Sequence, residues 1–176
     1  VVSIGSWDAA LRSAGAGLAA VEALEAGEGD AAFLAVRPPG HHATRDRAMG
    51  FCLFNNIAIT ADALARRGQK VAIVDWDVHH GNATQDMFFD RRDVLYISTH
   101  EFPFYPGSGW IDEAGKGEGE GWNINIPLPA GTADNLLGAT EVATLFLDRD
   151  LRIRRFTPPA RQIFRLIERD VGRPLD

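Results

Sequence analysis

The chain has 176 residues, 45% of them hydrophobic and 24% charged, the balance of an ordinary globular domain. Its formal net charge of -6 argues against a general binder of nucleic acid or of a bilayer surface. No apolar run approaches the roughly 20 residues of a membrane span, no secretory signal is visible, and the one cysteine, Cys52, cannot form an internal disulfide, so a reducing cytoplasm is the expected compartment.

In chain order, residues 7–26 read as a helix, with Ser6 as N-cap and an apolar stripe of Leu11, Leu18, Val21 and Leu24. Residues 31–36 are a continuous apolar run and read as a strand. A helix is predicted over 56–67, closed by Gly68. A second strand covers 71–75, a short helix 84–89, and a third strand 94–98. Residues 100–121 are rich in glycine, proline and aromatics, and read as a long functional loop before a fourth strand at 122–127. This alternation predicts an α/β fold, a parallel sheet with helices on both faces. After Gly131 the pattern changes. Residues 144–147 and 151–156 alternate like strands around the turn Asp148-Arg149-Asp150, and 159–167 reads as a helix with Ile163, Phe164 and Ile167 on its apolar side.

The chemistry concentrates at the ends of two predicted strands. In Val74-Asp75-Trp76-Asp77-Val78-His79-His80-Gly81-Asn82, alternation puts Asp75, Asp77 and His79 on one face. A carboxylate oxygen beside an imidazole nitrogen suits a borderline-soft dication such as zinc. Ligands of open α/β sheets gather beyond the carboxyl ends of the strands, where this cluster falls. A tandem histidine, His41-His42, follows the run 31–36 and the turn Pro38-Pro39-Gly40, so four of the five histidines lie in two adjacent pairs, each just past a predicted strand.

Four segments, Arg37-Pro38-Pro39-Gly40-His41-His42-Ala43, Gly50-Phe51-Cys52-Leu53-Phe54-Asn55-Asn56, the segment from Val74 to Asn82, and Tyr105-Pro106-Gly107-Ser108-Gly109, resemble the zinc-dependent histone deacetylase superfamily. The resemblance covers residues 1–133 and is to the class II-like and bacterial branch, with its acetylpolyamine amidohydrolases and acetoin-utilisation proteins. It implies a partial arginase/deacetylase-type parallel sheet and hydrolysis of an N-acetyl amide of acetyl-lysine or acetylpolyamine. Asp77 and His79 match two of three zinc ligands. His42 matches the general base and His41 its electrostatic or acid partner, oriented by Asp75, with Asn82 beside His42. Gly50 and Phe51 match the substrate tunnel, and Tyr105 and Pro106 a rim that contacts substrate. Asp75, Asp77, His79, Ser98 and the Thr99 carbonyl match a structural K+ or Na+ site.

The family's later aspartate ligand and catalytic tyrosine are not found in this sequence. The chain also begins Val1-Val2, without methionine, which reads as a cut or incomplete N-terminus. The last forty or so residues resemble the opening hairpin and helix of a PAS domain, as in the PAS-like segment of chemotaxis methyltransferase–methylesterase fusion proteins. Residues 1–133 are therefore expected to be an incomplete deacetylase domain and 134–176 a PAS-like or diverged segment, joined near residues 133–135. An uncovered sheet surface, and self-association through it, are expected to follow. Two other readings compete: an inactive fragment or binding module, and an arginase-type binuclear metallohydrolase. Gly81, where the arginase type tends to use aspartate, favours one metal over two.

Overall fold

In the computed structural model, which describes residues 3–132, 145–148 and 150–174, the chain divides into two units, Val1–Pro129 and Ala130–Asp176. In the first, strands β1 (Val71–Asp75), β2 (Val94–Phe102) and β3 (Asn123–Pro129) form a parallel sheet in the order β1-β2-β3. β1 meets β2 from Val71 opposite Val94 to Asp75 opposite Ser98, and β2 meets β3 from Tyr96 opposite Asn123 to Phe102 opposite Pro129. β2 extends four residues beyond the predicted 98, because β3 supplies hydrogen-bond partners as far as Pro129.

Helices α1 (Ser6–Glu25), α2 (Asn56–Ala65) and α3 (Asn82–Phe88) accompany the sheet. The core joins Ala58, Ala61 and Ala65 of α2 to Phe88 of α3 and to Ile73, Val94 and Tyr96 of the sheet. Small residues along α2 let the helix lie close to the strands. Burying a side chain the size of Val94 or Phe88 contributes about 1.5–3 kcal/mol. Asn55 caps α2 by accepting from the Ala58 amide at 3.1 Å, and its amide nitrogen donates to Thr84 Oγ1 at 3.1 Å, which ties the starts of α2 and α3 together.

Several sequence expectations are corrected. The N-cap of α1 is Gly5, without a side-chain cap; Ser6 lies inside the helix, where its Oγ accepts from the Ser3 amide at 2.8 Å. The buried face of α1 is Ala10, Ser13 and Ala14, while Leu11 is exposed and Leu18, Val21 and Leu24 are only half-buried. Close approach to α2 selects small residues there. A Cβ on Gly17 would stand 2.0 Å from Thr60 Oγ1.

Residues 31–36 form no strand, and Phe33, Leu34 and Val36 are exposed. An apolar run becomes a strand only where a neighbour completes its hydrogen bonds, and β1 pairs with β2 alone. Among the described residues helices cover the sheet on one face, and Val74 (54% exposed), Ile124 and Ile126 lie open on the other.

In the second unit, β4 (Leu145–Leu147) and β5 (Ile153–Phe156) form a separate antiparallel pair, followed by α4 (Pro158–Phe164). Asp148 Oδ1 closes the turn by accepting from the Asp150 and Arg152 amides at 3.0 and 2.9 Å. α4 ends at Phe164, three residues short of the predicted 167, and Arg165 after it takes the left-handed conformation. Its inward residues are Ala160 and, just beyond it, Leu166; Ile163, Phe164 and Ile167 are exposed, contrary to the expected apolar side. Among the described residues this unit has a two-stranded pair and a short helix but no closed sheet, and a PAS-like segment is not shown. The join expected at 133–135 lies outside the described residues.

Candidate active site

The turn after residue 36 is built by polar ties between distant segments. Ser13 Oγ and Asn56 Nδ2 donate to the Pro38 carbonyl at 2.8 and 3.0 Å, binding α1, α2 and the turn together. The first amides of α3, those of Ala83 and Thr84, point at the His41 carbonyl at 3.1 and 3.3 Å. His41 is thus held through its carbonyl by the start of α3, and the turn before it is tied to α1 and α2.

Each histidine has its own partner. His41 Nδ1 lies 2.9 Å from Asp75 Oδ2 and His42 Nδ1 lies 2.8 Å from Asn82 Oδ1. The two rings stand 4.0 Å apart between centroids. Burial works against a charged His41, but the hydrogen bond and charge of Asp75, with the charge of Asp77, outweigh it and raise its pKa. Burial lowers His42; the Asn82 bond opposes that, the charges of His41 and His79 add to it, and the net shift is downward. The pair is therefore split into a more basic and a less basic imidazole. Burial pushes the Asp75 carboxyl up, yet the His41 bond and charge, the Asp77 amide and the Tyr96 hydroxyl hold it below the usual carboxylate range.

Asp77 and His79 leave β1 together. Asp77 Oδ1 lies 3.0 Å from His79 Nδ1 and accepts from the His79 amide at 2.8 Å, with both side chains partly open to solvent. An oxygen and a nitrogen donor side by side fit two corners of a zinc site, which in catalytic centres takes three protein ligands. Among the described residues no group of three His, Cys, Asp or Glu assembles to hold a metal. The described donor set is two.

A cleft of about 560 Å³ is lined by Pro39, His41, His42, Gly50, Phe51, Asp77, His79 and Tyr105. Gly50 has φ +57°, and a Cβ there would lie 2.2 Å from His42 Cδ2, so glycine is required both by conformation and by space. Phe51 is 89% exposed, a wall of the cleft rather than core. Tyr105 stands edge-on to His42, with centroids 5.0 Å apart. Pro106 follows it but is not among the lining residues. Asp75 and Asn82 act from behind the histidines. Ser98 sits opposite Asp75 in the sheet, fully buried, with its Oγ 2.8 Å from His100 Nδ1, and Thr99 is half-buried beside it.

Sequence reading missed Tyr96, Phe104 and the polar layer beneath the site. The Tyr96 hydroxyl donates toward Asp75 Oδ2 and the Gly81 carbonyl, 3.2 Å from each. Phe104 stacks on His79 at 5.1 Å and 12°. Below them His80, Gln85, His100, Ser108, Glu113, Asn123 and Asn125 form a hydrogen-bonded network. The sequence carries no local signal for these contacts, since most join residues far apart along the chain.

A parallel sheet with paired histidines, each backed by an acceptor, beside an Asp-x-His at the strand ends is the arrangement of a deacetylase-type domain. The histone deacetylase domain family matches residues 1–158, and the chain belongs to that family. It is 47% identical over 134 residues to a protein named "Probable deacetylase" of Archaeoglobus fulgidus, across 76% of this chain and 37% of the relative. It is 47% identical over 161 residues to the acetylpolyamine amidohydrolase of Burkholderia pseudomallei, across 88% and 45%. Among solved structures, the acetylpolyamine aminohydrolase of Burkholderia pseudomallei aligns with a TM-score of 0.68 at 48% identity, over 74% of this chain and 42% of that one. The HDA15 HD domain aligns with a TM-score of 0.65 at 48% identity, over 68% and 35%. The chain thus spans less than half the length of these relatives, and the family match runs beyond the expected boundary at 133. Among the described residues no helix is long and apolar enough to cross a membrane.

Proposed function

We propose that the cleft serves the metal-dependent hydrolysis of N-acetyl amides, of acetyl-lysine or acetylpolyamine type. The observation that carries this reading is the shared cleft of His41, His42, Asp77 and His79. Asp77 and His79 would hold zinc together with a further ligand. Zinc, when bound, polarises the amide carbonyl and lowers the pKa of its water. His42, lowered and backed by the neutral Asn82 amide, is suited to take a proton at Nε2 as general base. His41, raised by Asp75, is suited to stay protonated and stabilise negative charge while the proton taken by His42 passes to the leaving amine. Phe51 and Tyr105 flank the aliphatic stem of the acylated amine. Ser98 and the Thr99 carbonyl, under Asp75, are candidates for a structural K+ or Na+.

A second reading, a binding module without turnover, has one observation in its favour: no group of three metal-holding side chains stands among the described residues. One experiment separates the two. The purified chain is given zinc and assayed with an acetyl-lysine peptide and an acetylated polyamine, alongside His42→Ala. Slow hydrolysis that falls at least 100-fold in His42→Ala supports the hydrolase reading. No difference between the two proteins, with substrate still bound, supports the binding module.

A further inference from the structure

The loop that carries Phe104 and Tyr105 is fixed at both ends. At its start, β2 runs to Phe102, and the Glu101 amide donates to the Val78 carbonyl at 2.9 Å. At its far end, Glu113 Oε1 accepts from the Gly109 and Trp110 amides, both at 2.9 Å. Its Oε2 accepts from Gln85 Nε2 at 2.5 Å, and its carbonyl accepts from the buried Asn123 amide. His100 Nε2 donates to the Gly109 carbonyl at 2.8 Å, and His80 Nδ1 meets Ser108 Oγ at 2.8 Å. Gly109 is seated so closely that a Cβ would stand 2.5 Å from His100 Nε2, at φ +93°. Between these anchors, Phe104 lies flat on His79 and Tyr105 stands edge-on to His42.

We propose that Glu113 is a positioning residue for the cleft: its carboxylate clamps the turn at Gly109 and Trp110, and so sets Phe104 and Tyr105 against His79 and His42. The carboxylate does not line the cleft and acts only through the loop. Hydrogen bonds from amides to an ionised carboxylate are stronger than those to a neutral acceptor. Glutamine would keep the acceptor and lose the charge, and alanine would lose both. The functional consequence rests on the reading of the cleft as the reaction site; the clamp itself does not.

The test uses the full chain and needs no turnover. Amide hydrogen exchange and the His79 ring-proton resonances are measured by NMR in wild type, Glu113→Gln and Glu113→Ala. Phe104 stacked on His79 holds those ring protons upfield. In Glu113→Ala, exchange at Gly109 and Trp110 should accelerate about 10- to 100-fold, the His79 resonances should move downfield, and α2 should keep its protection. Glu113→Gln, which preserves volume if alanine prevents folding, should show the same changes at smaller size. Wild-type values in Glu113→Gln for both readouts would overturn the clamp. So would a His79 signal that stays put while Gly109 and Trp110 exchange freely, or loss of α2 protection in step with the loop. An inactive chain with an intact clamp signature would sink the hydrolase reading and leave this inference standing.

Discussion

His41 and His42 are neighbours in the chain, and their chemistry diverges because one faces a carboxylate and the other an amide. Asp75 lies 2.9 Å from His41 and Asn82 lies 2.8 Å from His42. The difference is testable at one atom. Asn82→Asp replaces a dipole by a charge at the same distance, which should raise the His42 pKa. Titration of its ring protons by NMR would measure this; an unchanged or lower value would mean that Asn82 does not set the basicity of His42. The identities of His41, His42, Asp77 and His79 as candidates were legible from their types and spacing. The partner of each imidazole was legible only through the family resemblance, since spacing cannot say which side chain turns toward which.

At the scale of elements, the sheet is polar inside where its carboxyl ends meet the site. Tyr96 links β2 to Asp75 at the end of β1 and to Gly81 at the start of α3. Tyr96→Phe keeps the ring and removes the hydroxyl. It should cost about 1–3 kcal/mol and let the Asp75 pKa rise, read by urea denaturation and by the pH dependence of His41. Full wild-type stability would show that the hydroxyl is dispensable. Strands β1 and β3 and helix α2 were legible because each has a clear period and a stop signal. The run 31–36 was misread because periodicity reports what a segment can form, while a ladder needs a neighbour. The alternation of elements predicted helices on both faces while the incomplete domain predicted an uncovered surface; that the open residues are Val74 and Ile124 appears only in three dimensions.

Across the whole molecule, acid should act through buried imidazoles. Burial, then the charge of His100, lowers the His80 pKa from 6.5 to about 4, and burial likewise lowers His100. A histidine whose folded pKa lies below its unfolded value gives stability that is complete above the unfolded pKa. That stability is lost as pH falls from 6.5 toward 4. His80 alone sets a ceiling of about 3 kcal/mol on this loss. Urea midpoints at pH 7 and pH 4.5 check it, and equal midpoints would mean that His80 is not held neutral in the fold.

By itself the sequence determined the family, the α/β class and the donor types at the strand ends, because motif spacing and period are local properties that survive without coordinates. Tertiary structure alone decided that Tyr96 braces Asp75, that Phe104 stacks on His79, and that Glu113 reaches the loop bearing Tyr105. Such contacts join residues far apart in the chain, and only the packing of α3 and the β2 loop against the sheet brings them within hydrogen-bond distance.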